Sequence, residues 1–204
     1  MRVLPCGRRA VLVELDRTSD VLGLRAALEQ DAPDGVVELV PAAQTLLVRF
    51  DPLMTTVARL RDRLLETSPV DIPPQQAGDV VVPVVYDGED LAEVASAAGI
   101  TVAEVVRRHA DGGYVSAFCG FAPGFAYLTG LDPVLHLPRR PTPRTRIPAG
   151  SVAIAGEYSA VYPTASPGGW QLLGRTTLDV WDVERAQPNL LAPGTRVRFT
   201  EIGR

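Results

Sequence analysis

The sequence contains no lysine, and all 20 basic residues among its 204 are arginine. That absence excludes several mechanisms. A phosphate loop of the GxxxxGK[ST] type, a Schiff-base amine and the Ser-Ser-Lys triad of amidase-signature enzymes each need a lysine. The abundance of Ala, Arg, Pro, Gly and Val points to a GC-rich genome as the origin of the bias, and the chemical exclusion holds whatever the origin. Cysteine is scarce too. Cys6 and Cys119 stand far apart with no CxxC spacing, so they read as free thiols, with neither a disulfide framework nor a metal site suggested. Long apolar runs are missing: stretches such as Val80 to Val85 are too short to cross a bilayer, and the opening Met-Arg-Val-Leu-Pro-Cys lacks the apolar core of a signal peptide. A cytoplasmic protein without a membrane partner is expected. A net charge of −4 with no basic tail argues against nucleic acid, whose backbone needs a positive face.

What is present is enough for a folded core, since 46% of the residues are hydrophobic. In the first part, the apolar run Val11 to Leu15 precedes Val21, Leu22 and Leu24 to Leu28, which read as a helix behind caps Ser19 or Asp20. Val36 to Val40 and Leu46 to Phe50 read as strands separated by Pro41, and Val57, Leu60, Leu64 and Leu65 recur at helical spacing. The proline-rich stretch from Ser68 to Gly78 has little periodicity and reads as a linker, placing a domain boundary between residues 1–78 and 79–204. Beyond it, Val80 to Tyr86 is followed by a helix carrying Leu91, Val94 and Ala95 and ending at Gly99. Thr101 and Glu104 match a capping box for a second helix with Val102, Val105 and Val106. From Tyr114 onward, short β-rich pieces (Tyr114 to Phe118, Ser151 to Ala155, Thr195 to Thr200) alternate with Gly and Pro turns, the pattern of a closed or sandwich-like β architecture.

Three segments exceed ordinary turn chemistry. The run Gly120-Phe-Ala-Pro-Gly-Phe-Ala-Tyr-Leu128 sets Pro123 and Gly124 among three aromatics: Phe121, Phe125 and Tyr127 suit the wall of a pocket, or equally the packing of a barrel corner. The second, Pro138 to Gly156, places Arg139, Arg140, Arg144 and Arg146 on a loop stiffened by Pro141, Pro143 and Pro148. Guanidinium forks match carboxylate and phosphate oxygens, although such a loop also serves as a solvated or docking surface. The third, Tyr162 to Thr176, contains Ser166-Pro-Gly-Gly-Trp170 and Gly174-Arg175-Thr176. Neither Ser151 nor Ser166 has the context of a nucleophile, so Ser151 and Arg175 are expected to bind rather than react. Trp170 reads as a core or interface anchor.

Together these segments resemble the B-subunit family of 5-oxoprolinase, also labelled allophanate hydrolase subunit 1, which includes the Kip-type inhibitor of a sporulation histidine kinase. The resemblance covers nearly the whole chain and is most specific in the second half. It implies an α+β protein, with a small N-terminal α/β domain followed by a cyclophilin-like β-barrel domain. It also implies a component that pairs with the 5-oxoprolinase C-subunit, a protein of the allophanate hydrolase subunit 2 type. With the A-subunit as well, the complex opens 5-oxoproline to glutamate using ATP, and this component is inactive alone. Because amidase-type allophanate hydrolysis needs a lysine, the allophanate label is nomenclature here. The family pattern matches best at Arg139 and Arg144, and places His109 beside the binding cleft, where an imidazole could act as acid, base or substrate-orienting group; a C-terminal cation on its helix is the plainer reading. The alternative from another class is a regulatory protein docking on a histidine kinase. Prolyl isomerisation rests on fold analogy alone.

Overall fold

The computed structural model describes residues 1–70 and 79–203; most of the stretch read as a linker, residues 71–78, lies outside the described residues. The chain divides into two compact units, Met1–Gln75 and Gln76–Arg204.

The first unit contains β1 (Arg2–Pro5), β2 (Ala10–Glu14), α1 (Thr18–Gln30), β3 (Val36–Pro41), β4 (Thr45–Phe50) and α2 (Val57–Glu66). Its sheet has the order β1-β2-β4-β3, all neighbours antiparallel. Alternate strand residues Val11, Val13, Leu46 and Val48 pack with Val21, Leu24 and Leu28 of α1 and Leu60 and Leu64 of α2. One sheet face against two helices thus supplies the core, each fully buried aliphatic side chain contributing about 1.5–3 kcal/mol. The local signal puts the start of α1 at Ser19 or Asp20, but the cap position is Arg17. Thr18 is drawn in because its hydroxyl donates to the Ala43 carbonyl at 2.8 Å, a long-range contact that overrides the local signal. At α2 the Thr56 hydroxyl accepts from the Arg59 N–H.

The second unit runs β5 (Asp79–Val84), α3 (Leu91–Ala98), α4 (Val102–Ala110), β6 (Tyr114–Cys119), β7 (Ala126–Thr129), β8 (Arg144–Ile147), β9 (Ser151–Ala155), β10 (Tyr158–Val161), β11 (Ser166–Gly168), β12 (Gln171–Arg175) and β13 (Arg196–Glu201). Seven of these strands form one sheet in the order β12-β9-β10-β7-β6-β13-β5, and β8 pairs with β11 as a separate ribbon. Among the described residues only the β13–β5 pairing is parallel. Past the end of β5, Val85 exchanges paired backbone hydrogen bonds of 2.9 Å with Arg175 at the end of β12, so the two sheet edges meet and the sheet is nearly closed. The expected α+β, barrel-containing fold is therefore present. Both helix signals hold as well: Gly99 takes the left-handed conformation (φ 69°) that ends α3, and Thr101 Oγ1 accepts from the Glu104 N–H at 3.1 Å to start α4.

The period of two along each strand sorts the barrel residues between two apolar clusters. Val152, Ile154, Val161, Leu173, Ala126 and Leu128 join the larger core with Val94, Val105 and Phe199. Their sequence neighbours Ala153, Ala155, Ala160, Leu172 and Phe125 belong to a second cluster, with Tyr162 and Trp170. The candidate site is built on that second cluster.

Candidate functional site

The connection between β6 and β7 carries the first of the three unusual segments. The Gly120 N–H donates to the Phe125 carbonyl at 3.1 Å, and the Phe125 N–H donates to the Ala122 carbonyl at 3.0 Å. Between them the Ala122 N–H donates to the Gly120 carbonyl at 2.8 Å, a γ-turn centred on Phe121 with φ of 70°. Positive φ is rare for a bulky residue and costs on the order of 1–3 kcal/mol, so the surrounding hydrogen bonds hold Phe121 in a strained state. Its side chain is nevertheless 60% exposed. Gly124 (φ 78°) cannot be replaced there, because a Cβ would lie 2.4 Å from that of Trp181.

Below Phe121 lies a floor of aromatic rings. Phe125 is buried and sits edge-on to Phe121, Tyr127, Tyr162 and Trp170 with centroids 5.2–5.5 Å apart, while Tyr127 stacks on Phe118 at 4.4 Å. Burial pushes the Tyr162 phenol up to about 12, and the nearby Arg139 charge pulls in the opposite direction. Arg139 is itself exposed and, like Arg146, has no ion-pair partner among the described residues. The loop carrying it is fixed by the Arg140 N–H, which donates to the Gly169 carbonyl at 2.7 Å. An exposed phenyl ring at positive φ, a floor of packed aromatic rings and the Arg139 guanidinium, near enough to act on the Tyr162 phenol, together mark the candidate surface.

The other expected site residues are placed elsewhere. Arg144 meets carboxylates, but they are the chain's own: its terminal nitrogens donate to the two Asp90 oxygens at 2.9 and 2.7 Å, and Nε and a terminal nitrogen reach Glu89 at 3.2 and 3.1 Å. Asp90 is buried to 1% exposure, and also accepts from Arg140 and from the Leu172 N–H at 2.7 Å. Burial alone would raise the Asp90 carboxyl, but the hydrogen bonds from Arg144 and Leu172 and the charges of both arginines hold it below the usual carboxylate range. Arg144 thus ties β8 to Asp90 at the start of α3, and Asp90 in turn holds the Leu172 N–H of β12. Ser151 is buried and its hydroxyl donates to the Pro148 carbonyl at 2.8 Å. Arg175 pairs through Nε with Asp87 at 3.0 Å and remains largely exposed.

His109 is the most deeply enclosed of the expected site residues. It has no exposed surface, and its ring lies 4.4 Å from that of Phe199 and 5.4 Å from that of Tyr114. Nδ1 is 2.7 Å from the Tyr86 hydroxyl and Nε2 is 2.9 Å from Ser159 Oγ. Because Ser159 donates onward to the Ala153 carbonyl, it accepts from Nε2–H, which leaves Nδ1 to accept from Tyr86. Each ring nitrogen is satisfied in the neutral form, and burial lowers the imidazole to about 3. In this structure the imidazole is neutral, has no exposed surface and is hydrogen-bonded at both ring nitrogens. Among the described residues, no group of three or more His, Cys, Asp or Glu is arranged to hold a metal ion, and no helix is long and apolar enough to cross a membrane.

Sequence reasoning missed Asp90, Tyr162, Tyr86 and Ser159. The chain belongs to the family described as carboxyltransferase domain, subdomain C and D, whose model matches residues 1–191. Within it, the chain is similar to proteins named as the B-subunit of 5-oxoprolinase. The protein of Haemophilus influenzae is 36% identical over 100% of this chain and 99% of its own length. That of Escherichia coli O157:H7 is 50% identical over 59% of this chain, a match spanning only 56% of that protein. Among solved structures, a conserved uncharacterized protein of Pyrococcus horikoshii is 34% identical, with a TM-score of 0.61, over 100% of this chain and 98% of its own. The protein TTHA0988 gives a TM-score of 0.78 at 38% identity over 96% of this chain, which spans only 41% of that longer one.

Proposed function

We propose that this chain is one component of an ATP-dependent 5-oxoprolinase, opening 5-oxoproline to glutamate in the cytoplasm together with the C-subunit and the A-subunit of that enzyme. The observation that carries this reading is the end-to-end match to the 5-oxoprolinase B-subunit of Haemophilus influenzae. The surface chemistry supports it. 5-Oxoproline is a compact ring bearing one carboxylate: Arg139 has donors free for that carboxylate, and Phe121, Phe125, Tyr127 and Tyr162 offer the ring an apolar wall. ATP supplies the driving force for ring opening. On the Pro138–Pro148 loop, Arg139 and Arg146 have guanidinium donors able to meet phosphate oxygens, whereas the phosphate-cradling lysine of a P-loop is absent. Ser151 and His109, the conspicuous hydroxyl and imidazole, are enclosed in the fold, so the reacting groups come from the companion subunits.

Two outcomes follow. The purified chain alone shows no 5-oxoproline-dependent ATP hydrolysis, whereas the three-component mixture does; turnover by the isolated chain contradicts the proposal. In the assembled complex, Arg139→Ala lowers kcat/KM roughly ten- to hundredfold, the equivalent of about 1.5–3 kcal/mol for one charge-assisted hydrogen bond, and Arg139→Lys restores it only in part. Unchanged kinetics in both variants removes Arg139 from the site.

A further inference from the structure

The sheet of the first unit has a second face. On it, Leu4, Leu12, Leu47 and Val40 fall in one register row across all four strands, and none of them is fully buried. The rows on either side neutralise themselves: Arg2 pairs with Glu14 at 2.9 Å, and Arg49 pairs with Glu38. At one end of this face lies a concavity of about 670 Å³, floored by Ala10 and Leu47 and walled by Arg8, Arg9, Arg49 and Pro52. Arg8 and Arg9, on the turn between β1 and β2, have no ion-pair partner among the described residues. In a chain of net charge −4, this is a local excess of positive charge beside apolar surface.

The wall at Pro52 continues into an apolar projection, with Leu53 92% exposed and Met54 62% exposed. The projection is held in shape, because Asp51 Oδ1 accepts from the Leu53 N–H at 2.9 Å and the Asp51 carbonyl accepts from the Met54 N–H at 3.0 Å. A fixed, fully exposed leucine beside a basic cleft has no role in this unit's own core, which is complete without it.

We propose that this cleft and the Leu53–Met54 projection form a docking surface for an acidic, aliphatic-bearing segment of the companion C-subunit. Asp or Glu side chains of that segment meet Arg8 and Arg9, an aliphatic side chain rests on Leu47 and Pro52, and Leu53 enters the partner. Complementary charge selects this occupant over a second copy of the chain, because two copies face to face would oppose their Arg8 and Arg9 clusters. The inference rests on the proposed function and adds a surface to it.

The test is the dissociation constant of the full chain for the purified C-subunit, measured by biolayer interferometry at about 50 mM and about 300 mM salt. Leu53→Asp and the double variant Arg8→Glu/Arg9→Glu each weaken binding at least about tenfold, and the loss in the double variant shrinks at the higher salt. Arg8→Lys/Arg9→Lys stays within about threefold of wild type, since it keeps the charge. As a second measurement on unmutated protein, complex formation slows maleimide alkylation of Cys6, an exposed thiol lining the same cleft, followed by peptide mass spectrometry. If wild type binds but the variants bind equally well, or Cys6 alkylates at an unchanged rate, the docking surface is wrong while the proposed function stands. If wild type does not bind the C-subunit at all, the proposed function fails and this surface with it.

Discussion

Between pH 7 and pH 4 the wild-type chain is expected to lose on the order of 3 kcal/mol of folding stability through His109 alone. Its imidazole titrates near 6.5 when unfolded and near 3 when folded, because burial among Phe199, Tyr114 and Tyr86 disfavours the cation. In that window the unfolded chain binds the extra proton, so this stability is complete above about pH 6.5 and is lost as pH falls toward the folded value. His109→Gln remains neutral throughout. It should cost about 1–3 kcal/mol at pH 7 through lost ring packing and an imperfect Tyr86–Ser159 bridge, yet its disadvantage should shrink steadily below pH 6. Denaturant unfolding of both proteins at several pH values reads this directly. Parallel curves would mean that His109 is not buried and neutral in the folded state.

The second large effect concerns Asp90. Its carboxylate is enclosed and binds two guanidinium groups and one backbone N–H, so Asp90→Ala strands Arg140 and half of the Arg144 fork in a polar knot. Removing one partner of a buried ion pair typically costs about 3–5 kcal/mol; because Arg140 and Arg144 retain some exposure and Arg144 keeps Glu89, about 3 kcal/mol is expected here, or ~10 °C in Tm. Arg144→Lys should be destabilising too, since an ammonium cannot bridge both Asp90 oxygens and Glu89 at once. A loss under about 1 kcal/mol for Asp90→Ala would return Arg144 to the groups free to bind a ligand.

These two residues also mark where sequence reading succeeded and stopped. The capping threonine at 101, the terminating Gly99 and the barrel strands β6, β9 and β13 were legible because their signals are local, whereas β7, β10 and β12 were not read. The burial of His109 was legible as well, in its position four residues after Val105 and three after Val106, on the apolar face of α4. An expected chemical role obscured that periodicity. Strand β1 was passed over because it is four residues long and ends in proline. The partners of Asp90 could not be read, since Arg140, Arg144 and Leu172 lie 50, 54 and 82 residues away in the chain. The same arginine that looked like a ligand anchor in a stiff loop is satisfied by a carboxylate the fold itself brings near. For the aromatic segment, the number of rings was visible, but the strained turn that leaves Phe121 in solvent and sinks Phe125 was not.

The strain at Phe121 can be relieved by a single substitution. Glycine takes positive φ freely, so Phe121→Gly should leave Tm unchanged or slightly raised while removing the one exposed ring of the site. In the proposed function this chain completes a 5-oxoproline-opening complex through that surface. Glutamate released from 5-oxoproline and ATP, measured with the purified A-subunit and C-subunit plus this chain, tests it most directly. Robust release is expected with wild type, background release when the chain is omitted, and at least about a tenfold loss of kcat/KM with Phe121→Gly. Equal release with and without the chain would contradict it.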